Sequence, residues 1–401
     1  MTKRLYQESP ELTECMATVL DCKAAEGGFE VLLSDTIIFP ESGGQLSDTG
    51  SIDKSAVKHA RESGDEVWHL TDSCFDIGAQ VKVALNIADR TDHSQQHTGE
   101  HIISGLANQL FGARNVGFHM AADHATLDLD KPLTAEQIAQ LERAANAAVQ
   151  HNIPITYRVV DETELDTLTL RKRAQGLHGD IRIVFIDGVD SCTCCGTHCA
   201  YTGGVGYIKL VSAASYKGGT RIWFACGMRA VDAAKNDQSI IDLIAKRFSI
   251  KAEDTVCAVQ RQGDELNAAR RELKRRTDEL LEYRAAELKA GSAQLGKLRL
   301  VVYQGEELGV AELKLLSEKL CGHPGMVAVL FSHCGESVLY QLARAGDVAY
   351  SMRELCQAVN AALGGKGGGK DDMAQGSAKY TGGYSESLEQ LRRYFAAALS
   401  A

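Results

Sequence analysis

The chain has 401 residues, and its 43 Lys and Arg against 53 Asp and Glu give a formal net charge of −10. That length is enough for two to four domains of roughly 100–200 residues each, so a single small module is excluded. A content of 44% hydrophobic and 24% charged residues is ordinary for a chain that builds a buried core. The acidic balance argues against a protein that coats nucleic acid by bulk charge, because phosphate binding needs positive groups, but it leaves room for a local basic surface.

The beginning of the chain gives no sign of export. Residues 1–9 contain no apolar core of a secretory signal, and nowhere do about 18 apolar residues follow one another. We therefore expect a cytoplasmic protein that does not span a membrane. In that compartment the 12 cysteines are expected to be reduced thiols, some of them metal ligands, rather than disulfides.

Residues 1–90 predict a β-rich, barrel-like domain. Short apolar runs alternate there with turn residues and glycine pairs, as is typical of consecutive strands. The runs are 17–20, 29–33, 36–39, 67–70 and 81–85.

Residues 91–248 predict a mixed α/β domain. From His93 onward, apolar and histidine residues recur at spacings of three and four, which predicts a helix. A second helix is expected over 134–149, followed by short strands over 156–160 and 181–186.

Residues 249–293 predict a helical spacer. Leu266, Leu273 and Leu280 recur every seven residues in a segment rich in Arg, Lys, Glu, Ala and Leu. This stripe is typical of a coiled coil, but its companion positions Ala269 and Arg276 are mixed in character. A long helix or helical hairpin docked elsewhere is at least as consistent with the pattern.

Residues 294–401 predict a compact α/β domain. The expected elements are strands over 298–303, 326–331 and 337–342 and helices over 310–320, 351–363 and 386–399. Between the last two helices lies a glycine run, 364–370, that contains Lys366 and Lys370. The run could cradle phosphate through backbone N–H groups or be a flexible loop, and it lacks the Gly-Lys-[Ser/Thr] order of a P-loop. The expected fold class of the whole chain is α+β.

Two histidines and a later cysteine cluster predict a metal site. His97 and His101 are four residues apart, so both imidazoles lie on one face of the predicted helix. The segment 192–199 adds Cys194 and His198, and thiolate with imidazole is a donor set suited to zinc. A disulfide or an incidental cysteine cluster is the alternative, and Cys192, Cys195 and Cys199 are available as competing thiols. The sequence leaves open whether such a site is structural or catalytic.

Glu100 lies directly before the second histidine. In the His-Glu-x-x-His metalloproteases a glutamate between two histidines is the general base, but that order is not met in this segment. On a helix Glu100 points about 100° away from His101. We therefore expect a solvated or capping carboxylate rather than a general base.

Four separated segments resemble one family. They are Phe-Pro-Glu-Ser-Gly-Gly-Gln with Asp-Thr-Gly over 39–50, the histidine segment 90–101, Cys-Cys-Gly-Thr-His with Thr-Gly-Gly-Val-Gly over 194–206, and Gly-Thr-Arg-Ile over 219–222. Together they resemble the editing domain of alanyl-tRNA synthetase and the freestanding AlaX editing proteins. The glycine run continuing to Gly376 resembles the DHH-associated C-terminal domain. The long form of AlaX, with editing core, helical spacer and C-terminal domain, is the best match.

The resemblance implies a trans-editing hydrolase that removes serine or glycine from mischarged tRNA for alanine. A second sieve of this kind is needed because one methylene or hydroxyl is worth only about 1–3 kcal/mol in a binding pocket. The resemblance also implies binding of tRNA and of nucleotide, including ATP, and the leucine stripe permits a homodimer. By the same resemblance the zinc ligands are His97, His101, Cys194 and His198, the catalytic pocket residues are Thr36 and Gln45, and the substrate-binding residues are Gly43, Gly44, Lys366 and Lys370.

Two other functions remain open at this stage. A zinc-containing module that binds tRNA without hydrolysing anything would use the four ligands as a closed site. A phosphoesterase is suggested by the C-terminal resemblance, but the chain contains no Asp-His-His sequence, which makes it the weaker alternative.

Overall fold

The computed structural model describes residues 1–174, 176, 179–379 and 384–400, with only the backbone described for 384–388 and 398–400. The chain divides into two compact units, Met1–Ala252 and Glu253–Ala401. Helices and strands alternate in both units, so the predicted mixed α+β class is confirmed. The finer division at residues 90, 248 and 293 stays a prediction. No helix in the described part of the chain is both long enough and apolar enough to cross a membrane.

The first part of unit one is made almost entirely of strands. The elements are β1 Lys3–Arg4, α1 Leu5–Glu8, β2 Glu14–Ala25, β3 Gly28–Leu33, β4 Asp35–Thr36, β5 Gly50–Ile52, β6 Ser55–Ser63, β7 Glu66–Thr71 and β8 Gln80–Leu85. Six of them close into a barrel in the order β2-β3-β7-β6-β5-β8. Alternate side chains point inward along such strands, and Val31, Leu33 and Val83 are fully buried inside the barrel.

Barrel closure also brings two cysteines together. Cys22 near the end of β2 and Cys74 just after β7 form a disulfide with a Cα–Cα distance of 6.1 Å. The expectation of reduced thiols is therefore wrong for this pair. Sequence reasoning could not find it, because 52 residues separate the two positions and only the pairing of β2, β3 and β7 makes them neighbours.

The second part of unit one surrounds a long helix. Its elements are α2 Ile87–Phe111, β9 Asn115–Met120, β10 Ala125–Leu129, α3 Ala135–Gln150, β11 Ile155–Val160, α4 Glu162–Leu165, β12 Ile181–Ile186, β13 Asp190–Thr193, β14 Ile208–Tyr216, β15 Gly219–Cys226 and α5 Met228–Phe248. The strands form two antiparallel sheets, β14-β15-β10-β9 and β11-β12-β13.

Local sequence accounts for where α2 begins and ends. The side chain of Asn86 accepts a hydrogen bond from the Ala88 amide at the N-terminus, and Gly112 adopts a left-handed conformation at the C-terminus, with φ of 61°. Two glycines let the helix approach its neighbours closely. A Cβ on Gly99 would lie 2.2 Å from the Cys226 sulfur, and one on Gly105 would lie 2.2 Å from the Val189 carbonyl oxygen. The helix therefore lies directly against β15 and the segment before β13.

Unit two begins with a 36-residue helix and continues as an α/β sheet. Its elements are α6 Thr255–Ala290, β16 Ala293–Leu295, β17 Leu298–Glu306, α7 Val310–Cys321, β18 Met326–Cys334, β19 Ser337–Arg344, α8 Met352–Leu363, β20 Lys366–Gly369, β21 Met373–Lys379 and α9 Tyr384–Ser400. The six strands are ordered β16-β17-β18-β19-β21-β20. Leu316, Val329, Phe331 and Leu355 are fully buried in the core of this unit.

The glycine run is a strand at the edge of this sheet. β20 pairs with β21 from Lys366 opposite Ser377 to Gly369 opposite Ala374, and its residues are exposed. Close packing explains the glycines on that strand, since a Cβ on Gly367 would lie 2.5 Å from the Gln375 carbonyl oxygen. Because glycine is depleted in strands, propensity alone could not predict this element.

Candidate metal centre and substrate cavity

Four donor atoms converge beside α2. His97 and His101 come from the helix, Cys194 and His198 come from the segment after β13, and one donor atom of each lies within 4.8 Å of the others. The Cys194 sulfur is 3.5 Å from Nε2 of His97 and 3.5 Å from Nε2 of His198. Gly196 makes the approach possible, because a Cβ there would lie 2.1 Å from the His97 ring. This set could hold a metal ion.

The electrostatics favour the metal-binding protonation state at Cys194 and His198 but not at His101, where burial lowers the pKa and the neighbouring Cys192 and Asp190 raise it well above its ordinary value. Burial alone would raise the pKa of the Cys194 thiol, but the adjacent His97, together with His101 and His198, holds that pKa well below its ordinary value. Burial, reinforced by the other two histidines, lowers the pKa of His198 to about 3. A thiolate and a neutral imidazole are the forms in which cysteine and histidine coordinate a metal.

Each histidine of the cluster has a partner on its other ring nitrogen. Nδ1 of His97 lies 2.6 Å from Oε1 of Gln45, and Nδ1 of His101 lies 2.9 Å from Oδ2 of Asp190. Nδ1 of His198 lies 3.4 Å from Oγ1 of Thr98. Such partners determine which tautomer and orientation the ring adopts, and here they leave Nε2 facing the centre of the cluster.

Asp190 is itself held in place by Arg171. The guanidinium donates to both carboxylate oxygens, from Nε to Oδ1 and from Nη2 to Oδ2 at 3.0 Å. Burial raises the pKa of Asp190, but the hydrogen bonds from His101 and Arg171 outweigh it and lower the pKa to about 2. The Asp190 carboxylate is therefore charged in the folded protein at neutral pH.

The three competing cysteines differ from Cys194. Burial raises the pKa of Cys192 and Cys195, and it raises that of Cys199 to about 11. Cys192 lies 3.5 Å from Nδ1 of His101, on the side of the ring that Asp190 occupies. It belongs with His101 and Asp190 to a second, overlapping group of possible ligands. Among these four thiols, Cys194 alone has a lowered pKa and lies on the Nε2 side of the histidines.

A cavity of about 330 Å³ opens beside the four ligands. Its walls come from the glycine-rich loop after β4, the metal-binding face of α2, β9, and the segments on either side of β12 and β13. Phe39 and Gly43 lie on one side, Phe118 stacks on the His97 ring with centroids 5.5 Å apart, and Arg182 lies on another side. The cavity is large enough for the end of a substrate and reaches the metal-binding side chains directly.

Two segments match known family models. Residues 181–222 match the model described as the threonyl and alanyl tRNA synthetase second additional domain, and residues 298–401 match the DHHA1 domain. Alanyl-tRNA editing protein Aarsd1 of Mus musculus is 28% identical over 97% of this chain and 97% of its own length. Alanyl-tRNA editing protein AlaX-L of Pyrococcus horikoshii is 29% identical over 98% of this chain and 99% of its own length.

Over nearly its whole length, the chain is thus similar to proteins named alanyl-tRNA editing proteins. Alanine–tRNA ligase of Pyrococcus abyssi is also similar, at 28% identity over 97% of this chain but only 43% of the ligase. The region shared with that longer protein corresponds to nearly the whole of this chain.

Gln45 and the two glycines of the glycine-rich loop lie at the cluster. Gln45 is fully buried and does not line the cavity. Its Oε1 contacts His97 and accepts from the Thr197 amide at 3.1 Å, while its Nε2 donates to the Thr197 hydroxyl at 2.8 Å. Gly44 has φ of 87°, and a Cβ there would lie 2.6 Å from the Phe118 carbonyl oxygen. Gly43 lines the cavity.

The remaining residues that were expected to bind substrate or act in catalysis are not among those that line the cavity. Thr36 is fully buried in unit one, where its hydroxyl contacts Nε2 of His69 at 2.8 Å and accepts from the Ile38 amide at 3.1 Å. It is not among the cavity-lining residues. Lys366 begins β20 in unit two, and Lys370 directly follows that strand, with both residues exposed.

Glu100 differs from its expected environment. The carboxylate is only 5% exposed, lines the cavity, and accepts hydrogen bonds on Oε1 from the side chains of Ser104 and Asn115. The expectation of a solvated or capping carboxylate is therefore wrong. Oε2 of Glu100 lies 3.7 Å from Nε2 of His101, so the predicted separation of these two side chains is also wrong. Strand β9 covers this part of the helix and supplies Asn115.

An ion pair joins the glycine-rich loop to α2. Arg90 donates from Nε to Oδ2 of Asp48 at 2.9 Å, and the same oxygen accepts from the Phe39 amide at 2.8 Å. Asp48 is fully buried and Arg90 nearly so. Both residues occur in the motifs described above, yet nothing local in the sequence links them, because they are 42 positions apart.

Proposed function

We propose that the chain is a trans-editing hydrolase that deacylates mischarged tRNA for alanine. The observation that carries the proposal is the convergence of four candidate metal ligands, three of which line a cavity walled in part by the glycine-rich loop. The names of the full-length relatives support the alanyl-tRNA part of this assignment. The reaction class follows from it, since editing of a charged tRNA is hydrolysis of the ester between the amino acid and the terminal ribose.

The metal in this proposal is zinc. One thiolate and three imidazoles form a donor set that zinc prefers, and the lowered pKa of Cys194 and of His198 supports that assignment. The pKa of His101 is raised, so this residue would release a proton on binding the ion. His97, His101, Cys194 and His198 would hold the ion. Bound there, it would supply a Lewis acid for the ester carbonyl or lower the pKa of a water molecule toward 7.

The protein's own residues orient and enclose the reacting ester. Gln45, Asp190 and Thr98 hold the three imidazole rings, so these rings cannot turn when substrate enters. Gly43 lets the loop backbone approach the substrate closely, because no side chain stands in between. Phe39 and Phe118 limit access of bulk water to the cavity.

The proposed roles of Thr36 and Gln45 are indirect. Gln45 acts by orienting His97, and Thr36 acts by fixing the backbone of residues 37–39 through its bond to the Ile38 amide. Serine and glycine remain the proposed substrate amino acids, as the resemblance of the sequence motifs implies. Binding of ATP and a cytoplasmic location stay predictions.

Deacylation of three purified esters tests the proposal. Seryl-, glycyl- and alanyl-tRNA for alanine would be incubated with the zinc-loaded protein, with His97→Ala, and with Thr91→Ala as the matched control. Thr91 is an exposed position of the same helix. We expect rapid loss of the seryl or glycyl ester, survival of the alanyl ester, and loss of activity only in His97→Ala.

The rival function is a zinc-containing module that binds tRNA without hydrolysis. If all three esters survive while the wild-type protein still binds tRNA and zinc, the editing proposal fails and this module takes its place.

We also propose that the chain forms a homodimer through α6. Leu266, Leu273 and Leu280 are 50%, 68% and 63% exposed, so a stripe of large apolar side chains faces outward along this helix. Light scattering coupled to gel filtration should give a dimer mass for the wild type and a monomer mass for Leu273→Glu, while Arg271→Glu on another side of the helix should leave the dimer intact. A monomeric wild type would contradict the proposal.

A further inference from the structure

Arg182 has an unused hydrogen-bonding edge at the cavity. It lies in β12, is 8% exposed, and lines the cavity. Both of its hydrogen bonds come from Nη1, which donates to the carbonyl oxygens of Cys194 at 3.0 Å and Gly196 at 2.9 Å. Nε is buried and has no hydrogen-bond partner among the residues that the structure describes.

The orientation of this edge is set by its neighbours. The guanidinium lies over the Tyr157 ring, with its central carbon 3.9 Å from the ring centroid, and the two carbonyl contacts hold one end. Nε and Nη2 form the remaining edge, whose parallel N–H groups match the paired oxygens of a phosphate or carboxylate. A buried cation with unpaired donors is unfavourable unless a ligand supplies the missing acceptor.

No acid in the described part of the chain forms an ion pair with Arg182. Of the acids at the cavity, Glu100 accepts from Ser104 and Asn115, and Asp180 is exposed. The cavity carries two further cations, Arg171, which pairs with Asp190, and the exposed Lys172. The free edge therefore faces a region that favours an incoming oxyanion.

We propose that Arg182 binds the phosphate of the 3′-terminal nucleotide of the aminoacyl-tRNA. This rests on the proposed editing function and names the subsite that holds the end of its substrate. Arg182 holds the backbone of Cys194, so an oxyanion at its free edge lies beside the metal centre. With the ester at that centre, the phosphate on the other side of the same ribose is the substrate oxyanion within reach. Arg182 is thus a substrate-positioning residue.

Two non-hydrolysable probes test the subsite. They are 3′-serylamino-3′-deoxyadenosine with and without a 5′-phosphate, in which an amide replaces the ester. Dissociation constants would be measured by calorimetry for the zinc-loaded wild type, Arg182→Gln and Arg182→Lys. The control is Arg173→Gln, which removes a nearby cation that pairs with Asp166 and does not line the cavity.

We expect the wild type and Arg173→Gln to bind the phosphorylated probe about tenfold more tightly, as charge-assisted bidentate hydrogen bonds can provide. Arg182→Gln should bind both probes with nearly equal affinity and should bind the unphosphorylated probe as the wild type does. Arg182→Lys should lose most of the preference, because an ammonium keeps the charge but lacks the fork. If Arg182→Gln fails to bind zinc, the affinities of Arg182→Lys for the two probes decide the test.

Three outcomes would overturn the assignment. Equal weakening of both probes in zinc-loaded Arg182→Gln and Arg182→Lys would make Arg182 a purely structural residue. An unchanged phosphate preference, with weaker inhibition of deacylation by free serine, would assign the edge to the carboxylate of the released amino acid. Failure of the wild type to bind either probe or to deacylate any ester would reject the proposed function together with the subsite.

Discussion

Asp190 is not one of the four candidate ligands, but it controls the orientation of one of them. It accepts from Nδ1 of His101 and is clamped by Arg171, so it determines which ring nitrogen faces the centre. Mutation of such a hydrogen-bond partner typically lowers metal affinity by about 10–100-fold.

Replacing Asp190 by Asn should therefore lower zinc affinity about 10–100-fold, because the neutral amide holds both His101 and Arg171 less tightly. Competition with a chromophoric chelator measures this. Asp187→Asn, at an exposed position three residues earlier, is the control and should leave affinity unchanged. Equal affinities for the wild type and Asp190→Asn would show that the contact has no part in metal binding.

His69 predicts how stability depends on pH. It is fully buried, and burial lowers its pKa to about 4 despite the opposing contact with the Val31 carbonyl oxygen. The neutral form is thus favoured in the folded state. As pH falls below about 6.5 the unfolded chain takes up a proton first, so the stability contributed at neutral pH is lost progressively down to about pH 4.

The unfolding free energy lost through protonation linked to this histidine should approach about 3 kcal/mol. The figure follows from the fall of the pKa from 6.5 to about 4, since one pKa unit corresponds to about 1.36 kcal/mol. Urea unfolding at pH 7 and pH 4.5 measures it. His69→Asn should show a smaller fall in unfolding free energy over that range than the wild type, whereas His151→Asn, at an exposed position, should match the wild type. An identical pH dependence for His69→Asn and the wild type would contradict the prediction.

At the scale of elements, α2 packs closely against β15 at the level of its two candidate metal ligands. Gly99, between the two ligand histidines, sits where a Cβ would be 2.2 Å from the Cys226 sulfur and 3.7 Å from the Cys226 Cβ. The Cys226 sulfur therefore leaves no space for a side chain at position 99. With alanine at position 226, the nearest atom of that residue would be its Cβ, at an ordinary contact distance from a Cβ at position 99.

Gly99→Ala should destabilise unit one by about 1–3 kcal/mol through overpacking. Thermal unfolding of Gly99→Ala and of the double variant with Cys226→Ala measures the effect, and the second substitution should restore much of the loss. Gly263→Ala provides a control of opposite sign. It lies inside α6 with no atom within 4 Å of the added Cβ, and should stabilise that helix by up to about 1 kcal/mol. Failure of Cys226→Ala to rescue would place the strain elsewhere.

At the scale of the whole molecule, two separate units carry different parts of the proposed task. The metal cluster lies in unit one, and the exposed glycine strand with Lys366 and Lys370 lies in unit two. If the strand contacts tRNA phosphates, the double variant Lys366→Gln, Lys370→Gln should weaken tRNA binding without changing hydrolysis of a short aminoacyl-nucleotide substrate.

The expected signature is a smaller dependence of affinity on salt. Each phosphate contact that is lost should reduce the slope of log affinity against log salt by about 1, so the double variant should lower it by up to about 2. Filter binding across a salt series measures the slope. Lys297→Gln, another exposed lysine of unit two, is the control. A wild-type slope in the double variant would exclude the strand as the contact.

Much of the framework follows from local patterns in the sequence. The three-and-four periodicity of α2 places His97 and His101 on one face, and the Cys-x-x-x-His spacing supplies the other two ligands. The helices α3, α7 and α8 and the strands β11, β12 and β17 also lie where their apolar periods predict them. These features need only neighbours along the chain, so the sequence by itself determined the mixed α+β class and the group of residues that the structure brings together as candidate metal ligands.

The tertiary structure alone decided which groups surround those residues. The pairs Gln45 with His97, Asp190 with His101, and Cys22 with Cys74 join positions far apart in the chain, where no local period operates. Burial of Glu100 depends on β9, and the strand character of the glycine run depends on its pairing with β21. Local propensity reports a residue's fit to a helix or strand, whereas hydrogen-bond partners and burial depend on which distant elements pack together.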